Sequence, residues 1–406
     1  MRECNKIFRD VASKLDCFVG KIAANFGKVC KKFLKDFWTG LLAGQSVLIT
    51  EISRGIKLNI SLKKQIEKLC RHLAKDSFDD LLPQYHQTIS SEINDRTIFC
   101  VDNTDIIKPY GEKFEDLGRV RDGSTGNTEK GYEIVNIVAL TPHHKQPIPL
   151  YSYLFSNIEP NYVSNNIETK KALTCIRTSF GSIGIKVFDR GYDDSELFRY
   201  LINNSEKFII RCKKNRDVYF NNKKINILDI VKHSANEIRS NFTKGSKTYA
   251  LTYKKYNVKI QGMNLNLIVV TGFGKDPMFL LTNLTLDKEF ETTIAKLYML
   301  RWKIEETHRF EKEVLKLEHF RVRSLKAMRN VVLLTAILSG FIALICEHQH
   351  SKLFKRLLEM SQTLKKKPLT DRAHGFKKNH LFFYSIARAI SDLFSAYKLR
   401  GSYSSP

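Results

Sequence analysis

Two short segments, each running into an aspartate, constrain this chain more than any other feature. Ile98-Phe99-Cys100-Val101 leads without a polar break into Asp102, and Ile183–Phe188 leads into Asp189. Short apolar runs of this kind form strands buried on both faces, in sheets covered by helices. A carboxylate at the end of such a strand borders a core, where charge costs free energy unless it is paired or coordinated. Adjacent strands can bring the two aspartates together, and a divalent cation between them removes their repulsion and supplies a Lewis acid.

The intervening texture fixes the fold class. Strands are expected at residues 134–140, 150–155 and 208–212, and helices at 167–179 and 195–203. With the two aspartate strands this is a β-β-β-α-β-α-β order, which implies an α/β fold with a mixed sheet and helices packed on it. Residues 217–290 turn β-rich, with runs at 218–220, 248–256, 265–271 and 278–281 between Asn-, Lys- and Gly-containing turns, and read as an insertion. Helical periodicity returns at Glu289 and persists through Leu325. The expected division is therefore a first core part (93–216), the insertion (217–290) and a last core part (291–345). Residues 1–92 carry apolar and basic positions at helical spacing, as in Phe18, Ile22, Phe26, Val29 and Phe33, and suggest a basic helical region for binding DNA ends. Residues 346–406 suggest a second basic helical region.

Charge points to a polyanion. The chain has 406 residues, of which 67 are Lys or Arg and 42 Asp or Glu, for a net charge of +25. That is a strong sequence-independent attraction for nucleic acid. Residues 1–90 carry +7 and residues 321–406 carry +12, leaving +6 between them, so two basic flanks surround a less basic centre. Eight scattered cysteines with no CxxC pair read as reduced residues of a cytoplasmic protein. Val331 to Cys346 is weakly polar, but at 16 residues it falls short of the ~20 that span a bilayer; a buried core helix is expected, and no membrane partner.

The third chemical element is the stretch from Tyr298 to Lys312. At about 100° per residue, with Tyr298 as zero, Arg301 falls near 300°, Glu305 near 340° and Lys312 near 320°. They share one narrow stripe bordering the apolar positions Leu297, Leu300, Ile304 and Leu315. A carboxylate there can face the sheet, with cations beside it for phosphates and an aromatic ring for a base. The plain alternative is an amphipathic surface helix with an Arg301–Glu305 ion pair.

Taken together, these segments resemble the bacterial insertion-sequence DDE transposases whose last catalytic helix bears Tyr, Arg, Glu and Lys separated by two, three and six residues. Tyr298, Arg301, Glu305 and Lys312 match that spacing, Val101-Asp102-Asn103-Thr104-Asp105 resembles the first-Asp strand, and Phe188-Asp189-Arg190-Gly191-Tyr192-Asp193 the second. The resemblance spans roughly residues 96–325. It implies a ribonuclease-H-like core in which Asp102, Asp189 and Glu305 are catalytic and bind two Mg²⁺ or Mn²⁺ ions. It implies double-stranded DNA, both transposon end and target, as partner, and a homodimer that pairs two ends. By the same resemblance Tyr298, Arg301 and Lys312 position phosphates, and Trp302 either stacks on a displaced base or packs in the core. The expected setting is the bacterial cytoplasm, at nucleoid DNA.

One departure stands out: Asn103 follows Asp102 where a second acid is common, so Asp105 is the fallback ligand, as Asp193 is for Asp189. Weaker features remain open. Arg211, Lys213, Lys214 and Arg216, where the last core strand should end, and Arg190 after the second aspartate suit phosphate contacts, as would a plain solvated charge run. Lys365 to Lys367 with Lys377 and Lys378 are a second such run. His308 lies near the stripe, where a structural histidine is the simpler reading. Cys346, His348 and His350 form a lone C-x-H-x-H, weak as a zinc site. Two rival functions share the core: a nuclease that cuts without joining, and a transposase-derived DNA-binding protein without catalysis.

Overall fold

A computed structural model describes residues 2–56, 58–141, 146–244, 247–285, 290–347, 351–363 and 382–399. His348, His350, the lysines at 365–367 and 377–378, and residues 401–406 lie outside these.

The chain begins with α1 (Arg2–Ile22), α2 (Lys28–Gly44), α3 (Ile49–Gly55), α4 (Leu62–Lys75) and α5 (Leu81–Ile89). The apolar period noted above does not run through as one helix. It breaks after Ile22, and α2 restarts behind the extended Gly27, which rotates Val29 to 68% exposure while Phe33 stays buried.

The core follows as β1 (Ile98–Ile107), β2 (Gly118–Arg121), β3 (Thr128–Leu140), β4 (Ile148–Phe155), α6 (Asn165–Phe180), β5 (Ile185–Phe188), α7 (Ser195–Asn203) and β6 (Lys207–Arg211). β3 pairs antiparallel with β1 and β4, while β5 lies parallel to both β1 and β6. This is the ribonuclease-H-like mixed sheet, flanked by helices. β1 does not stop at Asp102 as the apolar run suggested. It continues to Ile107 because β3 offers it a partner at every position; what ends at Val101 is the pairing with β5 and the full burial.

The insertion holds β7 (Asp217–Phe220), β8 (Lys223–Asn226), β9 (Glu237–Lys244), β10 (Lys247–Ile260), β11 (Met263–Thr271) and β12 (Met278–Thr282). Its strands are continuous with the core sheet, since β12 pairs antiparallel with β6, then β11 with β12 and β10 with β11. The chain returns as α8 (Phe290–Met299), α9 (Trp302–Arg309), α10 (Leu325–Glu347), α11 (Lys352–Thr363) and α12 (Phe382–Leu399).

The helical periodicity expected from Glu289 through Leu325 is interrupted in the structure. Between α8 and α9 the turn tightens to i→i−3 bonds, Arg301 N to Tyr298 O and Ile304 N to Arg301 O. After α9 it widens into a π-helical turn, Phe310–Val314, and then stops. Tight and wide turns rotate successive side chains in opposite senses from the α value, so the two distortions partly offset over the Tyr298–Lys312 stretch.

The terminal helices form one layer. The Trp38 indole N–H donates to Leu334 O of α10 at 2.8 Å, and the Ser391 and Ser395 hydroxyls of α12 donate to Ala43 O of α2 at 3.1 and 2.9 Å. Within α10, residues 325–346 are long and apolar enough to cross a membrane, so the length argument above does not hold; 83% of the apolar window is buried inside the protein, as a core helix should be.

His86 of α5 fastens this layer to the core. Its Nε2–H donates to Leu150 O at 2.7 Å, and its Nδ1 lies 2.7 Å from the Ser179 hydroxyl, which donates to it when the ring is neutral. Burial pushes its pKa down to about 4 despite the Leu150 bond. A depressed histidine contributes stability that is complete above its unfolded pKa near 6.5 and is lost as pH falls toward the folded value, about 3 kcal/mol in all. His86→Gln keeps a donor and an acceptor without titrating. In urea unfolding between pH 7 and 4.5, wild type is expected to lose stability more steeply than this variant; equal slopes would remove His86 as the cause.

Candidate active site

Strand parity places the two aspartates. In β1, Phe99 and Val101 belong to one hydrophobic core while Ile98 and Cys100 belong to a second. Side chains two apart share a face, so Asp102 lies on the face of Ile98 and Cys100. In β5 Val187 belongs to that same second core, which puts Asp189 there as well. Val101 and Phe188 are the last register partners of the parallel pair, so Asp102 and Asp189 stand side by side where the two strands part. The second core also contains Tyr298 and Ile304, so the helix bearing Glu305 covers this face.

Arg301 ties the third carboxylate in. Its Nη1 is 3.0 Å from Asp102 Oδ2 and its Nη2 is 2.6 Å from Glu305 Oε1. Burial pushes the Asp102 pKa up to about 7, with Arg301 opposing and Asp189 and Glu305 adding to the rise. The three carboxylates thus lie within electrostatic reach of one another, compensated only in part by one guanidinium. Glu305 itself remains exposed, with 54% of its side chain accessible.

Asp189 caps the short turn Arg190–Tyr192, its Oδ1 accepting from Gly191 N at 2.6 Å. A Cβ at residue 191 would stand 2.9 Å from the same oxygen, so any larger residue there would press on the Asp189 carboxylate. Sequence reasoning missed the support behind the site. The Asn103 side chain donates to Glu133 Oε2 at 3.2 Å and accepts from the buried Tyr192 hydroxyl at 2.9 Å, while Asn165 also donates to Glu133. An acid at position 103 would face Glu133, which accounts for asparagine here; strand parity could have shown that residue 103 turns away from the aspartates.

The other named residues fall as follows. Tyr298 is buried and hydrogen-bonded to Arg211 at the end of β6, and burial raises its phenol pKa. Lys312 lies 3.4 Å from Asp105 Oδ1 and 3.1 Å from Glu318 Oε1. Trp302 is half-buried, with Lys303 Nζ 4.6 Å from its ring centre. Arg190 is exposed, and so is the Lys213 side chain, whose backbone N–H donates to Asp193 Oδ2 at 2.7 Å. Lys214 pairs with Asp276 at 2.6 Å on the surface. The Arg216 guanidinium is committed to Asp193 Oδ1 at 2.6 Å and the Ser195 hydroxyl at 2.8 Å. His308 is packed inward: its Nε2 accepts from Asn136 Nδ2 at 3.1 Å, and burial, then Lys312 and Arg301, push its pKa down to about 3.

Both fallback ligands are otherwise engaged, Asp105 with Lys312 and Asp193 in a buried pair with Arg216. Cys346 is buried. The carboxylate oxygens of Asp102, Asp189 and Glu305 suit a hard divalent cation. Among the described residues, however, no three acidic, histidine or cysteine side chains already converge as ligands. Arg301 stands between two of them.

A ribonuclease-H-like sheet with two aspartates side by side where adjacent parallel strands part and a glutamate on the covering helix defines an acidic-triad core. Residues 93–340 match the Transposase DDE domain family, more than half of the chain, and the protein belongs to that family. A cryo-EM structure of a piggyBac transposase synaptic complex with hairpin DNA is similar over 99% of this chain and 82% of that one, at 11% identity and a TM-score of 0.47. No curated protein matches the sequence.

Proposed function

We propose that this chain is an insertion-sequence transposase of the Tyr-Arg-Glu-Lys group that cuts DNA at the ends of a mobile element and joins them to a target. The observation that carries the reading is the junction of Asp102 and Asp189 on the face covered by the Glu305 helix, in a chain of the Transposase DDE domain family. Asp102, Asp189 and Glu305 would hold two Mg²⁺ or Mn²⁺ ions. When bound, such ions activate the attacking water or 3′-hydroxyl and stabilise the leaving oxygen. Their fit rests on an all-oxygen donor set whose mutual repulsion Arg301 alone does not cancel.

The chain's own side chains do the rest. Arg301 and Lys312 bind backbone phosphates flanking the scissile bond, with the bidentate fork of Arg301 fixing orientation. Tyr298, held by Arg211, shapes the wall beside Asp189, and Trp302 offers a ring for a displaced base. Arg190 and Lys213 extend the cationic surface at the ends of β5 and β6 with Lys214 beside them, while Arg216, paired with Asp193, braces the loop beneath. The partner is double-stranded DNA, gripped by two copies of the chain so that both ends are cut together, in the cytoplasm of a bacterium.

The test is nicking and strand transfer on a supercoiled plasmid carrying the gene's own flanking sequences, with Mg²⁺ or Mn²⁺. Metal-dependent cleavage and joining at those ends is the expected result. Cleavage without joining would make the protein a nuclease; binding without cleavage under either metal would leave only a DNA-binding role.

A further inference from the structure

Arg301 bridges two of the three carboxylates. Its two terminal nitrogens take one oxygen each from Asp102 and Glu305, at 3.0 and 2.6 Å, and only 16% of its side chain is accessible. The second phosphate-binding candidate is tied down in the same manner, Lys312 between Asp105 and Glu318. Both cations assigned to the phosphates flanking the scissile bond are therefore neutralised by the protein's own carboxylates. A guanidinium fork fits a carboxylate pair and a phosphate with the same planar geometry, but it cannot serve both at once.

We propose that Arg301 is an exchangeable internal counter-ion that couples DNA binding to metal loading. While it bridges Asp102 and Glu305, it withholds their oxygens from cations. When a DNA phosphate takes the guanidinium, Asp102 and Glu305 are released beside Asp189, and three uncompensated carboxylates in one place draw divalent ions strongly. The coupling is reciprocal, so metal tightens DNA to the same degree that DNA tightens metal. The consequence is restraint: without DNA the protein loads metal poorly. This inference rests on the proposed assignment of the three carboxylates as metal ligands.

The experiment is Mn²⁺ binding to the full chain, followed by the paramagnetic resonance of free Mn²⁺. It is run alone and with a short duplex from the gene's flank, the duplex's own binding being subtracted. DNA is expected to tighten Mn²⁺ binding to wild type by about five- to 150-fold, the usual range of such couplings. Arg301→Gln without DNA should bind Mn²⁺ about as tightly as wild type with DNA, and DNA should add little. Arg301→Lys, which can face one carboxylate but not fork between two, should fall between and keeps the test available if the glutamine variant misfolds by circular dichroism. Unchanged or weaker Mn²⁺ binding in both Arg301 variants without DNA, or no DNA effect on wild type, would overturn the coupling. Asp189→Asn separates the two levels. If it abolishes Mn²⁺ binding while the Arg301 variants change nothing, only the coupling fails; if Mn²⁺ binding survives it undiminished, or no protein binds Mn²⁺, the ligand assignment itself fails.

Discussion

Asp189→Asn and Glu305→Gln are each expected to slow metal-dependent strand cleavage by at least about a thousandfold while leaving the fold intact. Metal-assisted stabilisation of the transition state amounts to several kcal/mol, and about 4 kcal/mol corresponds to that factor. The substitutions are gentle on structure. Asparagine at 189 still presents an oxygen to Gly191 N, and position 305 is already open to solvent. Single-turnover cleavage of an end-bearing duplex gives the rate, and DNA retention on a gel confirms binding. Asp105→Asn serves as the comparison, because this fallback acid is engaged by a cation, Lys312. Asp105→Asn should reduce the rate far less than Asp102→Asn. The reverse ranking would move the ligand three residues along β1 and break the geometric assignment.

Removing either partner of the Lys186–Glu206 pair is expected to destabilise the protein by about 3–5 kcal/mol, the usual cost of stranding one member of a buried ion pair. The two groups lie 2.5 Å apart with 1% and 0% of their side chains accessible. Lys186 also donates to Ile183 O at 2.7 Å and stands 4.8 Å from the Phe99 ring centre. Burial lowers its pKa, with Glu206 opposing. Denaturant midpoints of Lys186→Met, Glu206→Leu and the double variant measure the coupling. The double variant should lie much closer to wild type than either single one, since two apolar groups leave no buried charge. Additive losses would show that volume rather than charge governs the site. The effect matters for function because β5 carries Asp189 at its end, and a shift of β5 moves it against Asp102.

How much of this was legible in the sequence depends on how local each signal is. The apolar runs before Asp102 and Asp189 and the periodicity of Ser195–Asn203 are local, and strands and helix stand there in the structure. β2, with two exposed arginines among its four residues, and β9, largely polar, carry no period-two apolar signal, and neither was expected. Val29 and the break at Arg301 went astray for one reason: a wheel drawn at constant pitch does not register a turn that tightens, widens or restarts. The network of Asn103, Tyr192, Glu133 and Asn165 was invisible because its members lie on four elements and meet only through tertiary packing. So was the Lys186–Glu206 pair, where a lysine in a strand and a glutamate before the next one read as surface residues.

The insertion leaves the core at the end of β6 and comes back as β12, hydrogen-bonded to that same strand, with Ile209 opposite Thr282 and Arg211 opposite Leu280. Its two ends are thus clasped next to each other, and the polymer between them is a closed excursion. In chain-entropy terms, each doubling of such a loop costs only about 0.6 kcal/mol, borne by the β6–β12 ladder, which contains none of the three carboxylates. The segment between β6 and β12 can therefore be lengthened or trimmed at little entropic cost without retuning the aspartates.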